Sequence, residues 1–472
     1  MSLVHKFKQE DYYYVIDVNS GSIHEVDELV YDMIIDNDKL VSFDEILKKL
    51  GNKYKEEDMK EVYEELEYLV KDGDLYSEDL YEEIAMTDDS ESFFKAVCLN
   101  IVHDCNLRCT YCFADEGEYN QGCRKSMSFE VAKKAIDFII ANSGTRRNIE
   151  VDLFGGEPMM VYPTIQKIVE YGHEVGPKHK KNIRFTMTTN ATLLNEEKME
   201  YLNKHMGNII LSIDGRPEVN DKVRIRIDGS GSYKRILPNI KAMVAKRDDD
   251  KLYYARGTFT RNNTDFYEDV MHLVGEGFDE VSVEPVVLPD EHPLSLRKED
   301  LPQIFTQYDK LYTEILRRRM EMDNPFKFYH FNIDLNGGPC VYKRISGCGA
   351  GHEYIAITPD EEIYPCHQFV GKPEYILGTL DTGIVEKEKS NELKVAHIYN
   401  KPKCKKCWAR FYCSGGCQAN NYAFNGDILD PYETGCLMQK KRIECSIALK
   451  ARTDQDCTEY VQSLKDKKAL TK

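Results

Sequence analysis

Apolar and polar positions follow a repeating pattern through the middle of the chain. Short apolar runs alternate with amphipathic stretches six times between residue 93 and about residue 320. The predicted strands are 94–103, 149–155, 183–189, 208–214, 252–260 and 280–287. The predicted helices are 128–142, 161–175, 196–206, 233–247, 265–276 and 299–321. Such repetition predicts parallel strands with crossover helices, in an open sheet or a barrel.

The first 85 residues have a different pattern, which predicts a separate small domain. Two short strands, 12–17 and 22–26, flank a hairpin turn, and helices follow at 27–37, 43–51 and 56–72. Asp72 and Gly73 end the third helix and begin an extended wing. This order resembles a winged-helix domain that reads peptides or DNA. The third helix is rich in Glu, which repels phosphates, so a peptide reader is favoured.

Two stretches flank the central and C-terminal regions. Residues 78–92 are acidic and are predicted to form a solvated linker. Residues 437–472 are predicted to form a polar and mostly helical tail. We therefore expect four parts: 1–85, 93–325, 326–440 and 441–472.

Composition narrows the class of protein. The 472 residues are 42% hydrophobic and 31% charged, as expected for a soluble globular protein, and no apolar run is long enough to cross a membrane. The net charge of −18 argues against a nucleic-acid partner. The amino-terminal residues do not look like a secretory signal, so we expect a cytoplasmic protein. The 15 cysteines are then better explained as ligands than as disulfides.

The first cysteine cluster has the spacing C-x3-C-x2-C, formed by Cys105, Cys109 and Cys112. Three thiolates hold three corners of a cubane iron–sulfur cluster and leave the fourth iron open to another molecule. The alternative is a zinc site, which normally needs four ligands and could recruit His103.

This spacing resembles that of the radical S-adenosylmethionine (SAM) superfamily. The resemblance implies a partial (β/α)6 barrel over 93–325 and SAM on the open iron. It further implies that residues at the strand ends contact SAM. Gly155, Gly156 and Glu157 would meet the methionine amino group, Asn190 polar SAM atoms, Ser212 and Asp214 the ribose, Arg256 the carboxylate and Tyr111 the adenine.

A second cysteine run, Cys404-x2-Cys407-x5-Cys413-x3-Cys417, resembles the SPASM domain of peptide-modifying radical SAM enzymes. The resemblance implies two auxiliary [4Fe–4S] clusters, and therefore three clusters in all. One would be held by Cys404, Cys407, Cys413 and Cys436. The other would be held by Cys348, Cys366 and Cys417, completed by Cys340 or by a substrate thiolate. The family pattern has Gly where Glu361 stands, although we expect the turn there to survive. Cys98, Cys123, Cys445 and Cys457 are expected to be buried or incidental.

The whole arrangement resembles the thioether-forming maturases of Cys-rich SCIFF peptides. That resemblance implies a 5′-deoxyadenosyl radical, a ribosomally made precursor peptide bound through its leader, and an electron donor such as flavodoxin or ferredoxin. Anaerobic sulfatase maturases are the alternative, but they have Asp where His367 stands and no front domain. A non-catalytic iron–sulfur or peptide-binding protein is a third hypothesis. Related carbon–carbon crosslinkers and epimerases share the same scaffold.

Overall fold

The chain is described by a computed structural model over residues 3–87, 90–119, 121–333, 335 and 341–469. Side chains of 341–343 and 454–469 lie outside this description. The predicted ligand Cys340 and the side chain of Cys457 are therefore outside the described part of the protein.

The front of the chain folds into a three-stranded antiparallel sheet and a group of helices. The elements are β1 (Val4–Gln9), β2 (Tyr12–Asp17), β3 (Ile23–Val26), α1 (Glu28–Met33), α2 (Phe43–Leu50), α3 (Glu56–Asp72) and α4 (Glu82–Thr87). The sheet order is β1-β2-β3, so β3 forms one edge. Met59 and Leu66, seven residues apart on α3, are buried in the core of this unit. The predicted hairpin and three helices are confirmed.

For this region one strand was missed and one prediction is wrong. β1 was not predicted, because its burial does not alternate cleanly along the strand. The expected wing does not form a strand, since residues 73–81 consist of turns and irregular backbone. The Asn19 side chain instead donates to the Ser77 carbonyl at 2.7 Å, which fastens this segment beside the β2–β3 turn.

The described central region contains ten strands, eight of which join one large sheet. The ten strands are β4 (Ala96–His103), β5 (Leu107–Cys109), β6 (Lys125–Ser126), β7 (Asn148–Gly155), β8 (Asn182–Thr189), β9 (Met206–Ser212), β10 (Arg224–Arg226), β11 (Leu252–Phe259), β12 (Glu280–Pro285) and β13 (Lys327–Phe328), of which β5 and β10 pair separately. Strands β4, β7, β8, β9, β11 and β12 are parallel neighbours in that order. The sheet runs from β13 at one edge past β4 to C-terminal strands at the other and is not closed. The six predicted strands and the open, partial barrel are confirmed.

Helices cover the outer face of this sheet. They are α5 (Phe129–Ala141), α6 (Tyr162–Lys178), α7 (Glu196–His205), α8 (Pro217–Val223), α9 (Tyr233–Ala245), α10 (Tyr267–Gly275) and α11 (Leu301–Glu321). In α5, the Ser128 side chain caps the first turn, and Ile136 and Ile139 are fully buried. Burying each such side chain contributes about 1.5–3 kcal/mol. The helices that were predicted are confirmed, whereas the short α8 was not predicted.

The C-terminal region extends the same sheet. Its elements are α12 (Val341–Ser346), β14 (Tyr354–Ile357), β15 (Glu362–Tyr364), β16 (Gly378–Thr379), β17 (Gly383–Ile384), α13 (Lys387–Val395), α14 (Pro402–Lys405), α15 (Arg410–Cys413), α16 (Gln418–Asn425) and α17 (Glu433–Ala469). Strand β14 pairs in parallel with β4, so the second cysteine region lies directly beside the first barrel strand. No described helix combines the length and apolar character required to cross a bilayer.

The front unit is packed against the loop that carries Cys404 to Cys413. The His5 ring stacks on Trp408 with centroids 3.7 Å apart and planes 2° from parallel. Arg410, which is 1% exposed, donates to Asn19 and lies 3.5 Å from Asp79. Asp79 also accepts a 2.7 Å hydrogen bond from Tyr399. The expectation of a solvated linker is therefore wrong at Asp79, which is held in this contact.

Candidate active site

An open cavity of about 690 Å³ lies at the carboxyl ends of the first barrel strands. Its wall includes the thiols of Cys105, Cys109 and Cys112. The other predicted residues on this wall are Tyr111, Gly155, Gly156, Glu157, Asn190 and Ser212. The loops after four different strands thus bring most of the predicted SAM contacts to one place, as expected for the carboxyl end of such a barrel.

A small ribbon that was not predicted shapes this wall. Strand β5 pairs with β10 in antiparallel register, which places Arg224 opposite Cys109. The Arg224 side chain lines the cavity, although the sequence analysis did not single it out. It lies ten residues beyond Asp214 on a three-residue strand, so no periodic signal marks it.

The three thiols lie in a buried and electrostatically coupled group. Burial raises the pKa of Cys105 to about 12 and that of Cys109 to about 11. The Arg224 guanidinium opposes this effect at Cys109 and at Cys112. Among the described residues, no three His, Cys, Asp or Glu side chains surround a point that suits a single metal ion. Three thiols on one cavity wall fit a cubane cluster, which takes one cysteine per iron.

Close backbone contact explains the glycines at the end of β7. A Cβ atom on Gly156 would stand 2.0 Å from the Asp104 carbonyl oxygen, so only glycine lets these two loops meet. The next residue, Glu157, is 1% exposed. Its carboxylate accepts hydrogen bonds from Asn190 N at 2.7 Å, Thr189 Oγ1 at 2.7 Å and Met159 N at 3.0 Å. Glu157 is therefore held rigidly beside the cysteine loop.

Tyr111, Asp214 and Arg224 form a buried hydrogen-bonded triad. Tyr111 Oη donates to Asp214 Oδ2 at 2.6 Å and accepts from Arg224 at 2.8 Å. Arg224 also lies 3.6 Å from Asp214. The Arg224 Nε atom is buried without a hydrogen-bond partner, and Arg224 also contributes to the cavity wall. A guanidinium on the cavity wall fits an anionic group of a bound molecule.

Asp214 and Arg256 lie outside the wall of this cavity. Asp214 is fully buried, and its carboxylate accepts from Tyr111 and from Thr258 N, so of the predicted ribose pair only Ser212 faces the cavity. Arg256 pairs in register with Ser212 on the neighbouring strand, but its guanidinium donates to Glu284 at 2.6 Å. Among the described residues that line this cavity, Arg224 is the cationic one.

The C-terminal cysteines form two further groups. A cavity of about 880 Å³ is lined by Cys404, Cys407, Cys413 and Cys436, the same four residues that were predicted to act together. The second group contains Cys348, Cys366 and Cys417. Burial, and then the thiols of Cys417 and Cys348, raise the pKa of Cys366. Thiols that raise one another's pKa require a bound cation or cluster to be held as thiolates.

The turn that carries Glu361 survives, as expected. Glu361 takes a left-handed backbone conformation with φ of 66°, which normally favours glycine and costs a side chain about 1–2 kcal/mol. Its carboxylate accepts from Lys134 at 3.0 Å, and the strands on either side, β14 and β15, remain in register. The departure from the family pattern therefore leaves the hairpin before Cys366 intact. Of the other thiols, Cys98 and Cys445 are buried as predicted.

The fold and site together define the class of protein. Residues 99–274 match the model of the radical SAM superfamily, and this segment contains the three cavity cysteines and the glycine pair. The chain therefore carries a radical SAM domain.

Known proteins show how far this similarity extends. The chain is 26% identical over 343 residues to the cysteine-type anaerobic sulfatase-maturating enzyme of Clostridium novyi, covering 67% of this chain and 86% of that enzyme. The structure of native anSMEcpe with bound AdoMet matches 76% of this chain and 99% of its own, with a TM-score of 0.64 and 18% identity. Streptococcus suis SuiB bound to precursor peptide SuiA matches 90% of this chain and 96% of its own, with a TM-score of 0.52 and 17% identity. These structures confirm the fold.

Proposed function

We propose that this protein is a radical SAM enzyme that forms an intramolecular thioether in a ribosomally made, Cys-rich peptide. The observation that carries the proposal is the presence of three separate thiol groups in one chain, one in the barrel cavity and two in the C-terminal region. A single catalytic cluster needs only the first group. The other two fit the additional clusters of enzymes that oxidise peptides.

The cavity residues fit both a cluster and SAM. Cys105, Cys109 and Cys112 would each hold one iron, and the Arg224 guanidinium on the cavity wall would attract the SAM carboxylate. Glu157 and Ser212 would face the remaining polar groups of SAM. When bound, the reduced cluster and SAM supply the 5′-deoxyadenosyl radical that removes a hydrogen atom from an unactivated carbon. The chain's own residues position these groups and exclude water.

The C-terminal groups would hold two auxiliary [4Fe–4S] clusters. Cys404, Cys407, Cys413 and Cys436 offer a complete ligand set around one cavity. Cys348, Cys366 and Cys417 offer three ligands. The predicted fourth ligand is either Cys340 or a thiolate of the substrate, and the second choice would bring the reacting sulfur of the peptide to this site.

The front unit offers an edge for an extended leader. Among the described residues, β3 pairs only with β2, so its outer edge has backbone groups available for an added strand. The SuiB complex, whose partner is a precursor peptide, matches 90% of this chain, whereas anSMEcpe matches 76%. This difference favours a peptide reader at the front of the chain.

Formylglycine formation, as in sulfatase maturation, is the second candidate because a sulfatase-maturating enzyme is among the relatives. We expect an Asp after the Cys366 position in those enzymes. Here His367 occupies it, packed against the Phe113 and Phe154 rings with centroids 5.8 and 4.8 Å away. Its ring also lies 3.4 Å from the Tyr354 hydroxyl, so a neutral aromatic ring occupies the position at which we expect a carboxylate in those enzymes.

Tandem mass spectrometry of the peptide product tests the proposal. The protein is co-expressed anaerobically with a short Cys-rich reading frame that neighbours its gene. We expect a peptide lighter by two hydrogen atoms per crosslink, with one fewer alkylatable thiol and a sulfur-to-carbon bond. A matched control carries Cys105, Cys109 and Cys112 all changed to Ala and should leave the peptide unmodified. A formylglycine residue would establish the second candidate, and an unmodified peptide with active enzyme would defeat the choice of substrate.

A further inference from the structure

A buried lysine lies between the two C-terminal cysteine groups. Lys401, immediately before α14, is 1% exposed. Its ammonium donates to the Gly415 carbonyl at 2.9 Å. Gly415 lies in the turn that joins Cys413, of the first group, to Cys417, of the second. A Cβ atom on Gly415 would stand 3.3 Å from the lysine Nζ, so this turn folds directly over the ammonium.

Among the described residues, no carboxylate pairs with the Lys401 ammonium. The one hydrogen bond that this ammonium makes there is to a neutral carbonyl. Burying an unpaired ammonium costs several kcal/mol, so such a charge normally has an anionic partner. A nearby lysine at the surface does have a carboxylate partner. Lys403 is 66% exposed and pairs with Asp430 at 2.6 Å.

Thiols of both groups act electrostatically on this ammonium. Burial lowers the pKa of Lys401, while Cys404, Cys413, Cys417 and Cys348 raise it. The first two belong to one predicted cluster and the last two to the other. Clusters held by cysteine thiolates carry net negative charge, and they would supply the counter-charge that the protein itself does not.

We propose that the Lys401 ammonium is a charge-compensating residue shared by the two auxiliary clusters, and that it raises the reduction potential of both. The inference rests on the proposed presence of these clusters. A fixed positive charge in a low-dielectric interior stabilises the reduced, more negative form of a cluster.

EPR-monitored redox titration tests this inference. The background changes Cys105, Cys109 and Cys112 to Ala, which removes the signal of the barrel cluster. We expect Lys401→Met to make reduction of both auxiliary clusters at least tenfold less favourable, which for a one-electron couple is a shift of 59 mV to more negative potential. Lys406→Met, at an exposed lysine of the same segment that does not line the cavity of the first group, should produce a much smaller shift.

Lys401→Gln separates charge from hydrogen bonding, because the amide can still donate to Gly415. We expect it to shift both potentials as Lys401→Met does, with auxiliary iron and sulfide contents equal to those of the background. Unchanged potentials in either neutral variant, a shift at one cluster only, or loss of auxiliary iron from both variants would overturn the inference and leave Lys401 a structural residue. Absence of iron and sulfide from the background protein itself would instead contradict the auxiliary clusters of the proposed function.

Discussion

Replacing Arg410 by Met tests whether the front unit depends on the cysteine loop. Arg410 lies between Cys407 and Cys413 and is 1% exposed. Its guanidinium donates to Asn19 and, at 3.3 Å, to the Cys407 carbonyl, and it lies 3.5 Å from Asp79. Methionine preserves much of the side-chain volume but leaves the buried Asp79 carboxylate without its cation.

The structure sets the expected magnitude. Removing one partner of a buried ion pair costs about 3–5 kcal/mol, because the other charge remains buried. The core of the barrel is formed by other residues. The lost free energy should therefore weaken the contact between the cysteine loop and the front unit. A change of this size corresponds to roughly a hundredfold to a few thousandfold in a local opening equilibrium.

Hydrogen exchange followed by mass spectrometry measures that equilibrium. We expect Arg410→Met to accelerate exchange in residues 12–26 and to leave β7 of the barrel unchanged. Lys405→Met is the matched control. Its ion pair with Glu82 is partly exposed, and such pairs contribute about 0–1 kcal/mol. Adding Asp79→Asn to Arg410→Met should recover part of the loss, because it removes the orphaned charge.

The reasoning is refuted if Arg410→Met exchanges like the wild type in residues 12–26. It is also refuted if the double variant loses the full sum of the two single losses, because the two residues would then be energetically independent.

Two further substitutions test the barrel. We expect Arg224→Gln to weaken SAM binding to the reconstituted protein at least tenfold without loss of iron. Arg226 is exposed on the same strand, so Arg226→Gln should bind SAM normally. Equal SAM affinities of the two variants would remove Arg224 from the site. Burial raises the pKa of Asp152 to about 6 from an ordinary 3.8. Between these two pH values the folded protein holds a proton that the unfolded chain releases, so the free energy of unfolding falls as the pH rises. Asp152→Asn, which still accepts from Thr186, should therefore stabilise the protein by about 3 kcal/mol at pH 8 and by little at pH 4; equal melting temperatures at pH 8 would contradict this.

The sequence predicted the barrel well because several of its strands, β7, β8 and β11 among them, alternate between more and less buried positions. Ile149, Val151 and Leu153 of β7 show that pattern clearly. The cysteine spacing predicted the site for a different reason, since closely spaced thiols have few other uses in a reducing environment. Neither signal depends on contacts between distant segments.

The features that were not predicted from the sequence depend on contacts between distant segments. Arg224 reaches the cavity through a three-residue ribbon whose pairing has no periodic signature. Lys401 and Arg410 resemble surface cations until the packing of the loop and the front unit buries them. Asp79 was assigned to a solvated linker from its charged neighbours alone. Arg256 matched a family expectation by position, but its partner Glu284 lies on a neighbouring strand that the local sequence does not identify.

Cleavage of SAM by the reconstituted and reduced protein tests the central claim most directly. The account predicts that anaerobic wild-type protein with iron and sulfide releases 5′-deoxyadenosine from SAM. The variant with Cys105, Cys109 and Cys112 changed to Ala should release none while keeping its auxiliary iron. Intact SAM after incubation with the fully loaded wild type, or equal release by the variant, would contradict the account.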